Sequence, residues 1–224
     1  MSEHLRPIAT VDIVLFTLAE PANDDGLQVL IAERACEPFR GRPALPGGYV
    51  HVDEDADTAG TARRVLAGKL GVQAPYLEQL YSFGSRTRDP RGWSISVAYF
   101  AMLPATAGAA LPAGVHWQPV ETLPVLAFDH AGIVERALVR VRDKATYSSL
   151  PAFLLGETFT LPQLHAVYCR VLGARLDPAS FRRKIEAQGF IVPVPGAFSQ
   201  DRSSRPAQLY RLADAQLRAF DRTI

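Results

Sequence analysis

Cysteine is scarce in this chain of 224 residues: Cys36 and Cys169 are the only two, and they lie far apart. That excludes a disulfide framework and a cysteine-based zinc site, whose ligands come in closely spaced pairs, so both thiols are expected reduced. No apolar run reaches the length of a membrane span, and Met1 to Thr10 lacks the apolar core of a secretory signal, so a cytoplasmic protein with no membrane partner is expected. Internal repeats and low-complexity tracts are missing too. Charge of one sign is not in excess, with 24 Lys and Arg against 23 Asp and Glu. What is present is an ordinary globular composition, 48% apolar with mean hydropathy near zero, long enough for one large domain or two small ones.

The even charge conceals an asymmetry. Residues 145–224 hold ten Lys and Arg against six Asp and Glu, leaving +4, while residues 1–144 hold 14 against 17, leaving −3. A basic C-terminal third points weakly to a polyanionic partner.

Patterning separates the chain in the same place. Val11 to Ala19 and Leu27 to Ala32 are β-branched apolar runs around a turn, Leu77 to Phe83 and Trp93 to Leu103 read as further strands, and Gly114 to Val120 as a short one. Asp57 or Thr58 caps a helix running to about Lys69 and stopped by Gly71, and Asp129 to about Lys144 carries the longest helical pattern. Strands around a helix, then helices, predict two domains, residues 1–147 and 148–224.

The tail resolves further. Thr160 and Gln163 form a capping box before a helix with Leu161, Leu164, Tyr168 and Val171 on one stripe, ending at Gly173. Asp177 and Pro178 start a second helix that turns Phe181 and Ile185 inward and Ser180, Arg182, Arg183 and Lys184 toward solvent, with Arg183 facing out most directly. Two strands, Ile191 to Val194 and Ala207 to Leu212, then flank a loop bearing Arg202 and Arg205. Helix, tight turn, basic helix and β-ribbon form the layout of a winged helix-turn-helix, which presents those six polar residues to DNA. A basic lid or oligomerisation module is the other reading, and it explains less of the charge.

The stretch Leu45 to Val72, LPGGYVHVDEDADTAGTARRVLAGKLGV, resembles a Nudix box, G-x5-E-x7-R-E-U-x-E-E-x-G-U with U aliphatic. Gly48 and Glu54 keep the opening spacing, and Arg64, Leu66, Gly71 and Val72 keep the closing frame, although Glu54 to Arg64 is two residues longer. The helical carboxylates are absent: Val65, Gly68 and Lys69 stand in their places. Nudix chemistry uses those carboxylates to hold Mg²⁺ against a pyrophosphate, and an ammonium cannot ligate a cation. Asp53, Glu54, Asp55 and Asp57 are either a solvated acidic loop or a weak Mg²⁺ attractor. The expectation is therefore no catalytic residue, no bound metal and no cofactor.

Over about residues 10 to 195 the chain resembles the NrtR family, Nudix-related transcriptional regulators of NAD metabolism. The similarity runs through GRPALPGGYV at 41–50, RRVLAGKLGV at 63–72, APYLEQLYSFGSRTRDPRGWSISVAYFAML at 74–103, FTLPQLHAVYCRVLG at 159–173 and LDPASFRRKI at 176–185. Pro43 departs from the family's usual Trp, and Gly68 from its common Glu.

The resemblance implies an α+β architecture: an N-terminal Nudix fold, a mixed sheet flanked by helices, followed by a C-terminal winged helix. It also implies a homodimer that represses through operator DNA and is released by ADP-ribose or a related NAD metabolite. The residues suited to that effector are Arg34 and Arg40 for phosphate oxygens, and Gly47 and Gly48 for close backbone approach. Phe39 and Tyr49 supply aromatic surface, and the cluster Arg88, Asp89, Arg91 and Trp93 suits ribose and phosphate. Each also has a bland reading as solvated charge, core aromatic or tight turn, and no histidine shows a pattern that assigns it a role. The competing function is a Nudix hydrolase of ADP-ribose-type diphosphates with a dimerisation tail, supported by Asp53, Glu54 and Asp57 alone.

Overall fold

A computed structural model describes residues 6–19, 26–105, 111–199, 206–221 and 223–224. The chain divides into two compact units, Met1–Phe16 with Gln28–Met102 and Gly108–Leu138, and Thr17–Leu27 with Leu103–Ala107 and Val139–Ile224.

The first unit is built on a mixed sheet. Strand β1, Ile8–Leu18, is apolar over nearly its whole length because it is central, with a hydrogen-bonded neighbour on either side. β2, Leu27–Glu33, joins one edge of β1, and β6, Ser94–Met102, joins the other in parallel. β5, Tyr76–Ser85, lies antiparallel outside β6, with a bulge near Leu80. Three short strands complete the sheet. β3, Pro43–Ala44, and β7, Val115–Pro119, both pair with β2, while β4, Gly47–Tyr49, pairs antiparallel with β1. Neither β3 nor β4 has a periodic signal at two or three residues, and sequence reasoning missed both.

Helix α1, Thr58–Val65, begins where expected, with the Asp57 carboxylate accepting from the Gly60 N–H at 2.6 Å. The expected helix to Lys69 is continuous but changes geometry. Leu66–Leu70 forms a π-helical turn, closed by Gly71 at φ +67°. Helix α2, His130–Tyr147, starts one residue later than predicted and runs three residues further.

In the second unit α2 ends and a short 3₁₀ segment, Leu150–Leu154, precedes β8, Phe159–Thr160, and α3, Leu161–Leu172. The capping box closes as read: the Gln163 N–H donates to Thr160 Oγ1 at 3.3 Å, and the Thr160 N–H to Gln163 Oε1 at 2.7 Å. Helix α4, Pro178–Gln188, is capped by Asp177, whose carboxylate accepts from the Ser180 N–H at 2.9 Å. β9, Ile191–Phe198, and β10, Gln208–Leu212, pair antiparallel, and β8 adds a third strand on the other side of β10, in the order β8-β10-β9. The ribbon was expected; its third strand, two residues long, was not. Leu164, Tyr168, Phe181, Ile185 and Phe190 fill the core of this unit, and the Tyr168 hydroxyl donates to the Ser148 carbonyl at 2.8 Å.

Candidate functional site

The centre of β1 carries one acid among apolar residues. A carboxylate buried there must be paired, and Asp12 collects its partners from three directions. Arg88, in the β5–β6 connection, places Nη2 3.3 Å from Asp12 Oδ2 and also grips Asp129 through two bonds of 3.0 and 2.9 Å. His130, at the start of α2, holds Nε2 3.5 Å from Asp12 Oδ1 while its Nδ1 accepts from the Leu45 N–H at 2.9 Å. Gly47 faces Asp12 across the β1–β4 pair, and a Cβ there would sit 2.4 Å from Asp12 Oδ1 and 2.7 Å from the Val11 carbonyl. Only glycine fits.

Above this cluster opens a cleft of about 690 Å³, solvent at its mouth included, with a floor of Thr10, Asp12, Leu45 and His130. Gly47, Gly48, Tyr49 and Lys69 form one wall, and Arg34, Cys36, Phe128, Arg88, Asp89 and Arg91 the others. Gly48 lies under the α1 face: a Cβ on it would meet Val65 Cγ2 at 3.0 Å and Lys69 Nζ at 4.0 Å. Lys69 donates to the Gly47 carbonyl at 2.6 Å. Two of the three positions emptied of carboxylates, Val65 and Lys69, therefore share one face directed at the glycine strand.

The loop that keeps the rest of the motif is held by its remaining charges. Arg64 donates from Nε and Nη2 to the two oxygens of Asp55, both at 2.7 Å, and from Nη2 to the Tyr49 carbonyl at 2.9 Å. Asp55 also accepts from the Thr61 hydroxyl and the His51 N–H, each at 2.8 Å. The hydrogen bond from Arg64 is the main cause holding Asp55 far below the usual carboxylate range. Glu54 lies 3.1 Å from His51 Nδ1 and 3.9 Å from Arg64. These acids are committed to the loop, and among the described residues no group of three or more His, Cys, Asp or Glu side chains could hold a metal. The residues present do not fit a Mg²⁺ site.

Of the residues expected to meet an effector, Arg34, Gly47, Gly48, Tyr49, Arg88, Asp89 and Arg91 line the cleft. Phe39, Arg40 and Trp93 do not. Phe39 adopts φ +65° and packs edge-on against Phe128 at 4.9 Å, so it supports a cleft wall from behind. Arg40 is exposed in the same loop. Trp93 is 47% exposed and lies over Gly84, which has room for it because it lacks a side chain. Arg88 lines the cleft with its guanidinium already taken. Burial disfavours its charge, but the hydrogen bonds and charges of Asp129 and Asp12 outweigh that and raise its pKa. Arg91 bonds Asp89 at 2.6 Å and the Tyr49 hydroxyl, and its hydrogen bond keeps Asp89 below the usual range.

Gly47 was expected to leave room for a ligand, yet its free face is filled by Asp12 and the Val11 carbonyl. Sequence reasoning missed Asp12, His130 and Phe128. The signal for Asp12 was available: a lone acid inside an eleven-residue apolar strand. Phe128, at φ +54°, carried none.

On α4, Phe181 and Ile185 are buried, and Arg182, Arg183 and Lys184 are exposed, while Ser180 is partly covered. Arg182 pairs with Glu186 at 2.9 Å, and Lys184 donates to the Thr223 carbonyl at 3.1 Å. Among the described residues Arg183 has no hydrogen-bond or ion-pair partner. Arg202 and Arg205 lie outside the described residues.

Fold and cleft together define a Nudix-type domain with a winged helix in one chain. Residues 151–212 match the NrtR DNA-binding winged helix domain. The chain is 37% identical over 218 residues to the ADPR responsive transcriptional repressor NtrR of Acinetobacter baylyi, covering 95% of this chain and 84% of the relative. Shewanella oneidensis NrtR, solved in complex with a 27mer DNA, is 37% identical with a TM-score of 0.86, covering 96% of this chain and 99% of that one. Its Nudix domain, solved with ADP ribose, is 39% identical with a TM-score of 0.53, covering 61% of this chain and 89% of that one. An ADP-ribose pyrophosphatase of Methanocaldococcus jannaschii is 31% identical over 137 residues, 59% of this chain and 73% of the enzyme. The chain belongs to the NrtR family of Nudix-related transcriptional regulators.

His130 makes the cleft floor sensitive to acid. Desolvation lowers its pKa from the ordinary 6.5, with Asp12 and Asp129 opposing and Arg88 and Arg34 reinforcing. Folding thus weakens its hold on a proton, and the unfolded chain binds more protons as pH falls. The stability contributed by neutral His130 is complete above the ordinary imidazole range and declines as pH drops through it. Thermal unfolding from about pH 8 to about pH 5.5 should show a falling midpoint. His130→Asn, which keeps an acceptor for Leu45, should flatten that dependence. An identical fall in both proteins would contradict it.

Proposed function

We propose that this protein is a transcriptional repressor of NAD-metabolism genes. It binds operator DNA through the winged helix and is released when ADP-ribose or a related NAD metabolite occupies the Nudix cleft. In this reading residues 1–147 bind the nucleotide, residues 148–224 bind DNA, and the working form is a cytoplasmic homodimer that uses no cofactor. The observation that carries it is Lys69. The cleft of a Nudix fold holds an ammonium on the Gly47 carbonyl at 2.6 Å, while a basic helix stands exposed in the other unit.

The relatives' properties support the same assignment. The Acinetobacter protein is named for its response to ADPR, and the Shewanella protein was solved with DNA and, as its Nudix domain, with ADP ribose. Arg34, Gly47, Gly48, Tyr49, Asp89 and Arg91 are the effector contacts that the cleft supports, with Arg88 holding the floor beneath them. Ser180, Arg182, Arg183 and Lys184 are the DNA contacts on α4, and Arg183 is the readiest of them because no hydrogen bond or ion pair among the described residues holds it, Asp177 acting on it only through its field. A two-fold dimer would present two such helices to half-sites about one helical turn apart.

Two experiments test the reading. Fluorescence anisotropy with an operator duplex should show Arg183→Ala reducing the slope of log affinity against log salt by about one unit if it meets phosphate, or costing roughly 1–3 kcal/mol if it meets a base edge. A folded Arg182→Ala, Arg183→Ala, Lys184→Ala variant that binds the operator as tightly as the original would overturn the α4 assignment. The second experiment is incubation of ADP-ribose with the protein and Mg²⁺, which should release AMP only at background. Robust release, abolished by Glu54→Gln, would promote the hydrolase instead.

A further inference from the structure

We propose that the Lys69 ammonium takes the place of a divalent metal and acts as the resident counter-ion for the nucleotide diphosphate, so that effector binding needs no metal. The inference rests on the nucleotide-receptor reading above and names the group that recognises the phosphates.

Position is the first argument. The Gly47 carbonyl faces the cleft, and a backbone carbonyl is an oxygen ligand that a hard cation would use. Lys69 Nζ occupies that oxygen at 2.6 Å, so a positive charge is fixed beside the glycine strand by a bond rather than drawn from solution. Its chain neighbour on the same face is Val65, which adds no acceptor. Three of the carboxylates that could complete a metal shell are taken up elsewhere, Asp55 by Arg64, Asp57 by the Gly60 N–H and Asp12 by Arg88, and Glu54 lies against His51.

Charge is the second. Four cations line the cleft, Arg34, Lys69, Arg88 and Arg91, against two acids, Asp12 and Asp89. Arg88 and Arg91 are spent on carboxylates. Among the described residues the Arg34 side chain donates only to the Pro38 and Cys36 carbonyls, with Phe128 beneath its guanidinium, and the Lys69 side chain only to the Gly47 carbonyl. Among the described residues these two carry the cleft's uncompensated positive charge, and a diphosphate is the complementary anion. An ammonium has three protons to donate; one goes to Gly47, which leaves two for phosphate oxygens.

Chemistry is the third. A metal both neutralises phosphate and activates a bound water, whereas an ammonium does only the first. Replacing one by the other separates binding from hydrolysis, which suits a receptor that must release its ligand intact.

The test is calorimetric titration of the full chain with ADP-ribose, once in EDTA and once in excess Mg²⁺. The native protein should bind equally in both. Lys69→Met should weaken binding about tenfold or more in both buffers, the loss expected for a charge-assisted contact, and Lys69→Arg should retain it in EDTA. Lys69 is exposed, so neither variant disturbs the core. A native protein that needs Mg²⁺, or a Lys69→Met variant that binds like it, overturns the role of Lys69 and leaves the receptor reading standing. Failure of the native protein to bind ADP-ribose in either buffer overturns both.

Discussion

The Nudix domain is organised around a carboxylate that is almost wholly buried. Asp12 sits in the middle of an apolar strand, and an unpaired charge there would cost several kcal/mol. Its needs determine the surroundings. Arg88 must reach in from the β5–β6 connection, His130 must stand at the head of α2, and β4 must offer a residue without a side chain. Asp129 balances the second face of Arg88. Three connections from different parts of the sheet are thereby tied to one strand, and the ligand cleft is the space left above them.

Upon that base the wall facing the glycine strand has changed its electrostatic meaning. The frame of the motif persists because it still has mechanical work: Arg64 closes the acidic loop through Asp55 and the Tyr49 carbonyl, and Gly71 ends the π turn. Val65, Gly68 and Lys69 stand where the motif has its helical acids. Shape and charge complementarity for a diphosphate can survive that loss, since they depend on Gly47, Gly48, Lys69 and Arg34 rather than on a bound ion.

Much of this was legible in the sequence, and the reason differs by element. The main strands, the start of α1, the capping box of α3 and the Asp177 cap of α4 have local causes, and local causes leave local patterns. Lys69 stood out because a positive charge in a metal-binding motif contradicts the motif. What could not be read depended on distant partners. Strands β3, β4 and β8 are two or three residues long and exist only because a longer strand is there to pair with them. Arg88 looked available for phosphate because nothing in its neighbourhood reveals that Asp12, 76 positions away, already claims it. Trp93 and Phe39 read as ligand surface, and their packing against Gly84 and Phe128, outside the cleft lining, has no local signal.

The central claim is that one chain links a nucleotide cleft to a DNA-binding helix, and linkage is reciprocal. If ADP-ribose favours the state that does not hold DNA, then operator DNA must weaken ADP-ribose binding by the same factor. The direct measurement is the affinity for ADP-ribose with and without a saturating operator duplex. The account predicts weaker binding on DNA, by roughly 5- to 150-fold, the range of typical coupling energies. Equal affinity in the two titrations, or tighter binding on DNA, would contradict it.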